Sequence, residues 1–479
     1  MDYVRSAPHY PSGLVHAATL LAGRHDLVLL DERTDADFDA RLGSEMEGCG
    51  LVGVTSMSGS QIGHACRLAR VVRARSRIPV VWGGLHASLL PEQVLSSGLA
   101  DYVVRGEGEE AFDALVTAVE RGGGFDDVPA LSFRKDGKVV HNPRARPIRL
   151  DTLPDPAWGV ADPRRYAPVF AGRPTLNVET SRGCPNRCSF CYNLVFNRRR
   201  WRGRSAPRVV DMLGLLVGRF GIRSFYFTDD NFFADRRRAF AIVREILARG
   251  LDIRFQLQGV EVKTINSFSD GELDLLVRAG CNRFSVGAES GSQKVIDYLA
   301  KELSPGETIA ANRRMRGWPI VVYYSFMSGF PGETIDDLNA TMDLALRLTA
   351  ENEYARSSPI YGYFPLPGTP LFEKLVRESG YVPPERLEDW AAIDYGAVNF
   401  CGADAELRRA IARAYVPSLF IDDKFGEYSG SAAFQAAARL YRPIARARLS
   451  HRFLGLPLEG AAYAAYVRTQ GDARGGTQT

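Results

Sequence analysis

Short apolar runs alternate with helix-length segments along most of this 479-residue chain. The short runs, rich in β-branched and aromatic residues, predict buried strands, and amphipathic stretches such as residues 62–74 predict helices between them. Strands that alternate with helices in this way form a largely parallel sheet covered by helices, so we predict an α/β protein. The predicted strands are residues 27–30, 51–54, 78–82 and 102–104 and then 176–179, 224–227, 253–257, 283–286 and 321–324.

The alternation is interrupted once, which predicts separate units. The first unit is predicted to be a doubly wound, Rossmann-like sheet that ends in a hairpin turning at Asp136-Gly137. The second is predicted to be a partial (β/α) barrel, whose reactive residues lie at the C-terminal ends of its strands. The predicted bounds are 1–145 for the first unit, 146–174 for a proline-rich linker, 175–380 for the barrel and 381–479 for a helical region with a disordered tail from residue 471.

Charge and apolar content argue against several kinds of protein. The chain has 60 basic and 56 acidic side chains, a net charge of +4, so charge alone indicates no nucleic-acid partner. No apolar run is long enough to cross a membrane and the N-terminus lacks a signal-peptide pattern, so we predict a cytoplasmic protein without a membrane partner. Seven cysteines are an odd count without a secretion signal, which favours metal or catalytic use over disulfides.

Three of these cysteines lie within eight residues, directly after a predicted barrel strand. Thiolates at Cys184, Cys188 and Cys191 suit an iron–sulfur centre, in which a complete cluster would normally take four protein ligands. Three ligands leave one iron open to bind the amino and carboxylate groups of another molecule. The alternative is a zinc knuckle, which usually adds a further His or Cys nearby, and none follows closely.

This spacing, with the aromatic Phe190 just before the third cysteine, resembles the signature of the radical S-adenosylmethionine (SAM) superfamily. The resemblance extends over residues 175–380. It implies that Cys184, Cys188 and Cys191 hold a [4Fe–4S] cluster that cleaves SAM reductively, giving a radical that abstracts hydrogen from the substrate.

Downstream segments resemble the superfamily as well. Many relatives carry an arginine on the strand where this chain has Gln258 and Glu261, so no arginine role is carried over, and either Glu261 or Gln258 is a candidate to serve in its place. A helix cap is the alternative role for Asp229 and core packing for Tyr226. Carried onto this chain, the resemblance implies catalytic roles for Tyr226, Asp229 and Glu261, and SAM contacts for Phe190, Glu289, Ser290 and Gly329.

The first unit resembles the cobalamin-binding domain of one radical SAM subclass. Its strand-end loops contain glycines and small residues, at the edge where open sheets of this kind bind ligands. A domain retained for architecture or for substrate binding is the alternative. The resemblance implies cobalamin contacts at Tyr10, Ser56, Gly83, Gly84, His86, Gly106 and Glu107.

The resemblance leaves the fate of the substrate radical open. Bound cobalamin implies methylation of a carbon atom of a small molecule, and its absence implies dehydration, deoxygenation or rearrangement of a sugar-type substrate. A non-catalytic iron–sulfur sensor is a third hypothesis. The expected partners are the substrate and an electron donor such as flavodoxin or ferredoxin. The basic run at residues 198–204 is a candidate contact for an anionic substrate or a reductase, or a solvated face.

Overall fold

The computed structural model describes residues 9–393, 403–428, 432–456 and 459–460. The strands are β1 (Val52–Thr55), β2 (Val80–Gly83), β3 (Tyr102–Val104), β4 (Leu131–Lys135), β5 (Lys138–His141), β6 (Val169–Phe170), β7 (Arg173–Val178), β8 (Ser181–Arg182), β9 (Arg202–Gly203), β10 (Ser224–Phe227), β11 (Arg254–Leu257), β12 (Cys281–Glu289), β13 (Val321–Ser328) and β14 (Ala355–Gly362). The helices are α1 (Ser12–Ala17), α2 (Phe38–Glu45), α3 (Ser60–Arg75), α4 (Gly84–Leu89), α5 (Pro91–Ser96), α6 (Glu109–Arg121), α7 (Ala206–Phe220), α8 (Arg236–Ala248), α9 (Val262–Ser267), α10 (Asp270–Arg278), α11 (Gln293–Tyr298), α12 (Pro305–Arg314), α13 (Ile335–Glu351), α14 (Pro370–Glu378), α15 (Ala405–Ser418), α16 (Phe425–Tyr428) and α17 (Ala432–Ser450).

The N-terminal sheet has the strand order β1-β2-β3-β4-β5. Strands β1 to β3 are parallel, and β4 and β5 form the predicted hairpin at Asp136-Gly137, where both residues have positive φ. The strand predicted at residues 27–30 was wrong. Val28 is 53% exposed, and the segment packs as irregular chain instead of pairing with the edge strand β1.

Each face of this sheet buries a separate apolar core. Trp82 lies in the core beneath α3, whereas its neighbour Val81 lies in the core beneath α6, as the alternation of side chains along a strand requires. The α3 core also contains Leu387 and Trp390, which come from the segment after the barrel. The fully buried Trp390 packs its ring edge-on against His86 at 5.4 Å. The N-terminal core is therefore completed by a distant part of the chain.

The second sheet has the order β14-β13-β12-β11-β10-β7-β6. Its strands are parallel from β7 to β14, and the edge strand β6 is antiparallel. Phe225, Phe284 and Phe326 face the core beneath the surrounding helices. This is the predicted partial barrel, with two strands more than the five expected, the antiparallel edge strand β6 and the parallel strand β14. Strand β14 was not predicted because Arg356, Pro359 and small polar residues interrupt its apolar pattern.

The predicted helical region after the barrel is confirmed by α15 and α17, whereas residues 471–479 lie outside the described residues. Glu427 of α16 forms ion pairs with Arg283 and Arg356, near the N-terminal ends of β12 and β14. Helix α16 therefore covers the end of the barrel at which strands β12 and β14 begin. No helix in the described part of the chain is sufficiently long and apolar to span a bilayer.

Candidate functional site

The three clustered cysteines lie on the loop between β8 and β9, and their side chains are half-buried. Among the described residues, no three His, Cys, Asp or Glu side chains converge closely enough to hold one metal ion. The three thiols interact electrostatically through Cys188, and a four-iron cluster would bind each of them through a different iron. Burial raises the pKa of all three thiols, that of Cys191 to about 12, so metal binding must displace their protons.

The cysteine loop is fixed at both ends. Gly183 has φ +86°, and a Cβ there would collide with the backbone carbonyl of Arg200, so only glycine fits this close approach. Ser189 donates its backbone N–H to Leu299 at 2.9 Å and accepts that of Leu371 at 3.1 Å. These contacts join the loop to the C-terminal end of α11 and to the start of α14.

Asp229 holds the start of the cysteine loop. Its fully buried carboxylate accepts the backbone N–H of Thr180 at 2.7 Å and the hydroxyls of Thr180 and Ser181 at 2.5 Å each. Burial raises its pKa, against the opposing charge of the nearby Arg238 guanidinium. The structure thus gives Asp229 the contacts of a positioning residue, where the sequence predicted a catalytic one.

We expect Asp229→Asn to lower both the stability of the protein and the iron content of the reconstituted protein. The amide retains one acceptor oxygen for three donors and removes the carboxylate charge that acts most strongly on Arg238, a loss of about 1.5–3 kcal/mol. Thermal unfolding and iron analysis measure the effect. The control is Asp404→Asn at the cap of α15, where Asp and Asn are equivalent. Equal iron content in the two variants would contradict the assignment.

Asp230, Asn231 and Glu261 form a polar layer beside the cysteines. The Asp230 carboxylate accepts the Gly183 N–H at 2.8 Å and the Tyr192 hydroxyl. The Asn231 side-chain amide lies 3.8 Å from Cys184 Sγ and also donates to Glu261. Glu261 accepts a second hydrogen bond, of 2.7 Å, from Asn186 in the loop. The predicted catalytic Glu261 therefore lies within the contact network of the cysteine loop.

Glu289 ends strand β12 in a strained conformation, with φ +60°. Its carboxylate pairs with Lys301 Nζ at 2.6 Å, and the same ammonium donates to the Gly287 carbonyl at 2.7 Å. Burial alone would lower the pKa of Lys301. The nearby Glu289 and Cys188 raise it by more, so the pKa of Lys301 is raised. The predicted SAM contact Glu289 thus lies near the cysteine loop. Lys301 was not predicted, because a single lysine after a helix carries no sequence signal.

The other predicted SAM contacts lie on neighbouring strand ends. The hydroxyl of Ser290 is buried and bonded to Thr341 Oγ1 at 2.9 Å, and Gly329 donates its N–H to Glu333 at 2.6 Å. Phe190 packs in the apolar cluster that includes Phe330. These residues shape the rim of the barrel at the C-terminal ends of β12 and β13.

Tyr226 lies on the inner face of the barrel sheet. It is in register with Asn177 of β7 and Gln256 of β11, while its neighbours Phe225 and Phe227 face the outer core. The inner face is therefore polar at this level, which suits a chamber for a hydrogen-bonding substrate. The predicted role of Tyr226 remains a proposal.

A cavity of about 270 Å³ lies between the N-terminal sheet and the cysteine loop. Gly53 and Phe112 line one side, and the opposite side is lined by Tyr192, Phe196 and Asn197 from the loop. Gly53, within strand β1, was not predicted, although a strand glycine is a signal for close ligand approach. Of the predicted cobalamin contacts, the cavity lining includes Gly83, Gly84, Gly106 and Glu107.

Three predicted cobalamin contacts lie outside this lining. Tyr10 is buried against Trp158 and Tyr166, and its backbone N–H bonds to Asn177. His86 is fully buried with Nδ1 2.9 Å from Ser58 Oγ, and burial lowers its pKa to about 4. Ser56 Oγ and His86 Nε2 have no hydrogen-bond partner among the described residues.

The cavity leaves space for a ligand directly beside the protein backbone. A Cβ added at Gly13 or Gly106 would meet no protein atom within 4 Å, so both glycines leave open space beside the backbone. The buried, unpartnered Ser56 hydroxyl follows Thr55 of the lining. Glycines that leave open space beside a lining of apolar and charged side chains fit a ligand that approaches the backbone closely.

A charged network joins the N-terminal unit to the cysteine loop, and Arg182 is its centre. This side chain is 2.8 Å from Glu107, 2.6 Å from both Glu109 and Glu179, and 2.8 Å from His16 Nδ1. Burial alone would raise the pKa of Glu109 and of Glu179. The positive charge of the Arg182 guanidinium contributes most to overcoming this effect, so the pKa of both carboxyls is lowered. Since Arg182 lies two residues before Cys184, the network fixes the cysteine loop relative to the cavity.

Two family models match the chain, and together they cover both units. Residues 178–345 match the Radical SAM superfamily and residues 4–116 match the B12 binding domain. The first match contains the cysteine loop, and the second contains the strand-end glycines of the cavity.

Known proteins give the same result. The chain is 31% identical over 371 residues to an uncharacterized methyltransferase, PH0819, of Pyrococcus horikoshii, covering 76% of this chain and 78% of that protein. It is 32% identical over 301 residues to the anaerobic magnesium-protoporphyrin IX monomethyl ester cyclase of Cereibacter sphaeroides, covering 62% of this chain but only 48% of the cyclase.

A solved structure shares the fold over nearly the whole chain. TsrM from Kitasatospora setae, a radical SAM methyltransferase with tryptophan and a SAM analogue bound, superposes with a TM-score of 0.69 at 19% identity over 93% of this chain and 97% of that one. Its structure with cobalamin and a [4Fe–4S] cluster gives a TM-score of 0.64 at 21% identity, covering 78% of this chain and 73% of that one. The chain therefore belongs to the radical SAM superfamily, and a B12 binding domain precedes its radical SAM segment.

Proposed function

We propose that this protein is a cobalamin-dependent radical SAM methyltransferase that acts on a carbon atom of a small molecule. One observation carries the proposal: a single cavity is lined on one side by strand-end glycines and on the other by the cysteine loop. When bound, the [4Fe–4S] cluster would supply the electron that cleaves SAM, and cobalamin would carry the methyl group.

Each part of the chain has a definable task in this function. Cys184, Cys188 and Cys191 would bind the cluster, and Asp229 would keep their loop in place. Glu289, held by Lys301, lies where the superfamily resemblance places SAM. Its fixed carboxylate would accept hydrogen bonds from hydroxyl or ammonium groups of SAM.

The cavity would receive cobalamin. Gly53, Gly83 and Gly106 permit close approach of a large ligand to the backbone, and Tyr192 would place an aromatic ring between this ligand and the cysteines. The apolar part of the lining, which includes Phe112 and Phe196, would help to exclude water from the space where a radical must survive.

Product analysis tests the reaction type. Methylation consumes two SAM molecules in different ways, one giving 5′-deoxyadenosine and methionine and the other giving S-adenosylhomocysteine. We expect both adenosyl products from anaerobic protein reconstituted with cluster and cobalamin, in the presence of SAM, reductant and substrate. 5′-Deoxyadenosine without S-adenosylhomocysteine would contradict methylation and favour dehydration or rearrangement. The absence of both products would favour the non-catalytic sensor.

Gly53→Leu tests the cavity independently of activity. Gly53 has ordinary backbone geometry, and its Cβ would lie 3.7 Å from the Phe112 ring, so a larger side chain extends into the cavity without backbone strain. We expect cobalamin retained after desalting to fall about tenfold, a loss of 1.4 kcal/mol in binding. Cluster absorbance should not change.

The matched control for this variant is Gly214→Leu on α7, where a Cβ meets no atom within 4 Å. It should retain cobalamin like the unmodified protein. Equal retention by the two variants would show that cobalamin does not occupy this cavity.

A further inference from the structure

The loop of residues 192–200 has two functional sides. Tyr192, Phe196 and Asn197 line the cavity, whereas the next three residues, Arg198 to Arg200, are exposed. A short loop thus separates the cofactor cavity from a strongly basic surface.

Other exposed arginines extend this surface. Arg187 lies between Cys184 and Cys188, and Arg144 is close enough to Arg198 that their repulsion, together with burial, lowers the pKa of Arg144. Arg199 Nε donates to the Pro185 carbonyl at 3.0 Å, which joins the basic loop to the cysteine loop. We call this surface the arginine patch; its members are Arg144, Arg187, Arg198, Arg199 and Arg200.

The arginine patch is not neutralised from within. None of its five members takes part in an ion pair with any residue that the structure describes. Arg182 and Arg202, by contrast, are both paired with Glu107 behind the patch. The chain therefore neutralises its inner arginines and leaves the outer ones free to attract negative charge.

Keeping this surface costs stability. Arg198 and Arg199 are consecutive non-glycine residues in the left-handed region, with φ +50° and +59°, at roughly 1–3 kcal/mol each. Such strain concentrates at functional sites, where the surrounding structure maintains it. Like charges held together beside a cysteine loop add repulsion to this cost.

We propose that the arginine patch is the docking surface for an acidic one-electron donor protein of the flavodoxin type. This inference rests on the proposed function, because only a cluster-binding loop requires an electron from outside. One electron would pass from the donor's flavin hydroquinone to the oxidised cluster. The flavin would become the semiquinone, and the cluster would be reduced by one electron. No bond forms or breaks, and no proton needs to move.

The surroundings favour a protein over a nucleic acid as the partner. Single-stranded nucleic acids bind basic grooves that also offer aromatic rings for base stacking. The adjacent aromatic residue, Trp201, is not available for stacking. Its Nε1 donates to the Asn231 carbonyl at 3.0 Å, and Arg238 lies over its ring at 5.4 Å. An acidic protein surface needs only charge complementarity and close approach to the loop.

The test compares two double charge reversals in the cluster-reconstituted protein. The test variant is R198E/R200E. The control is R237E/R244E, which reverses two exposed arginines seven residues apart on α8 that form no ion pair with any described residue. Calorimetry measures binding of purified oxidised flavodoxin at low and high salt. 5′-Deoxyadenosine formation is then measured with flavodoxin hydroquinone and, separately, with dithionite.

We expect the test variant to bind flavodoxin about tenfold more weakly at low salt, with the difference shrinking at high salt. Its flavodoxin-driven rate should fall similarly while its dithionite-driven rate and iron content match the control. Unchanged flavodoxin binding would overturn the proposal. So would loss of binding to a short single-stranded RNA with flavodoxin binding intact, which would identify a nucleic-acid surface. If dithionite yields no product in the unmodified protein, the proposed function fails, while the binding measurement still reports on the patch.

Discussion

Cys188→Ala is expected to abolish both the iron–sulfur absorbance and 5′-deoxyadenosine formation. Removal of one thiolate leaves two protein ligands for a cluster that already has one open iron, so the cluster is not retained. Iron content should fall to background after anaerobic reconstitution and desalting. The fold should remain, because the side chain is half-buried on a loop and lies outside the apolar cores.

The matched control is Cys49→Ala. Cys49 is also half-buried, but it lies in the N-terminal unit, where its thiol donates to the Leu51 carbonyl at 3.2 Å. It should retain full iron content and activity. Normal absorbance and product formation in Cys188→Ala would refute the cluster assignment on which the proposed function depends.

Arg182→Met is expected to destabilise the protein by about 3–5 kcal/mol, the usual cost of removing one partner from a buried ion pair. Methionine preserves much of the side-chain volume but leaves Glu107, Glu109 and Glu179 without their shared cation. The midpoint of urea unfolding measures the loss. Iron content should fall too, because the network positions the residue two places before Cys184.

Arg182→Lys separates charge from geometry. It keeps the cation but cannot reach three carboxylates and His16 with one planar group, so an intermediate loss is expected. Arg313→Met, which breaks the exposed pair with Glu351, should change stability little. An Arg182→Met variant as stable as Arg313→Met would mean that the network contributes no interdomain stability.

Most of the fold could be predicted from the sequence because period-2 and period-3.6 patterns report burial directly. Strands β3 and β10 begin and end where the apolar runs do, and the hairpin at Asp136-Gly137 follows from its turn residues. Errors arose where burial and local pattern disagree. The apolar residues 27–30 pack without pairing, whereas β14 is a buried strand despite Arg356 and Pro359, because its neighbours on the sheet determine its conformation.

The candidate site was predictable only where chemistry requires a local motif. Three closely spaced cysteines and strand-end glycines are such motifs. Lys301 and Arg182 are not, since their importance depends on partners up to 166 residues away, such as His16. Asp229 shows the converse: the sequence located it correctly after β10, but its role as an anchor depends on the donors of Thr180 and Ser181.

The position of Trp390 determines the order in which this chain can mature on the ribosome. The core beneath α3 includes Leu387 and Trp390, so the N-terminal sheet cannot complete that core until the whole barrel has been synthesised. A newly made N-terminal unit therefore lacks the ring that packs against His86 for most of translation. The cavity takes its final shape in the same order, because residues 179–230 line its far side and are made after the N-terminal sheet.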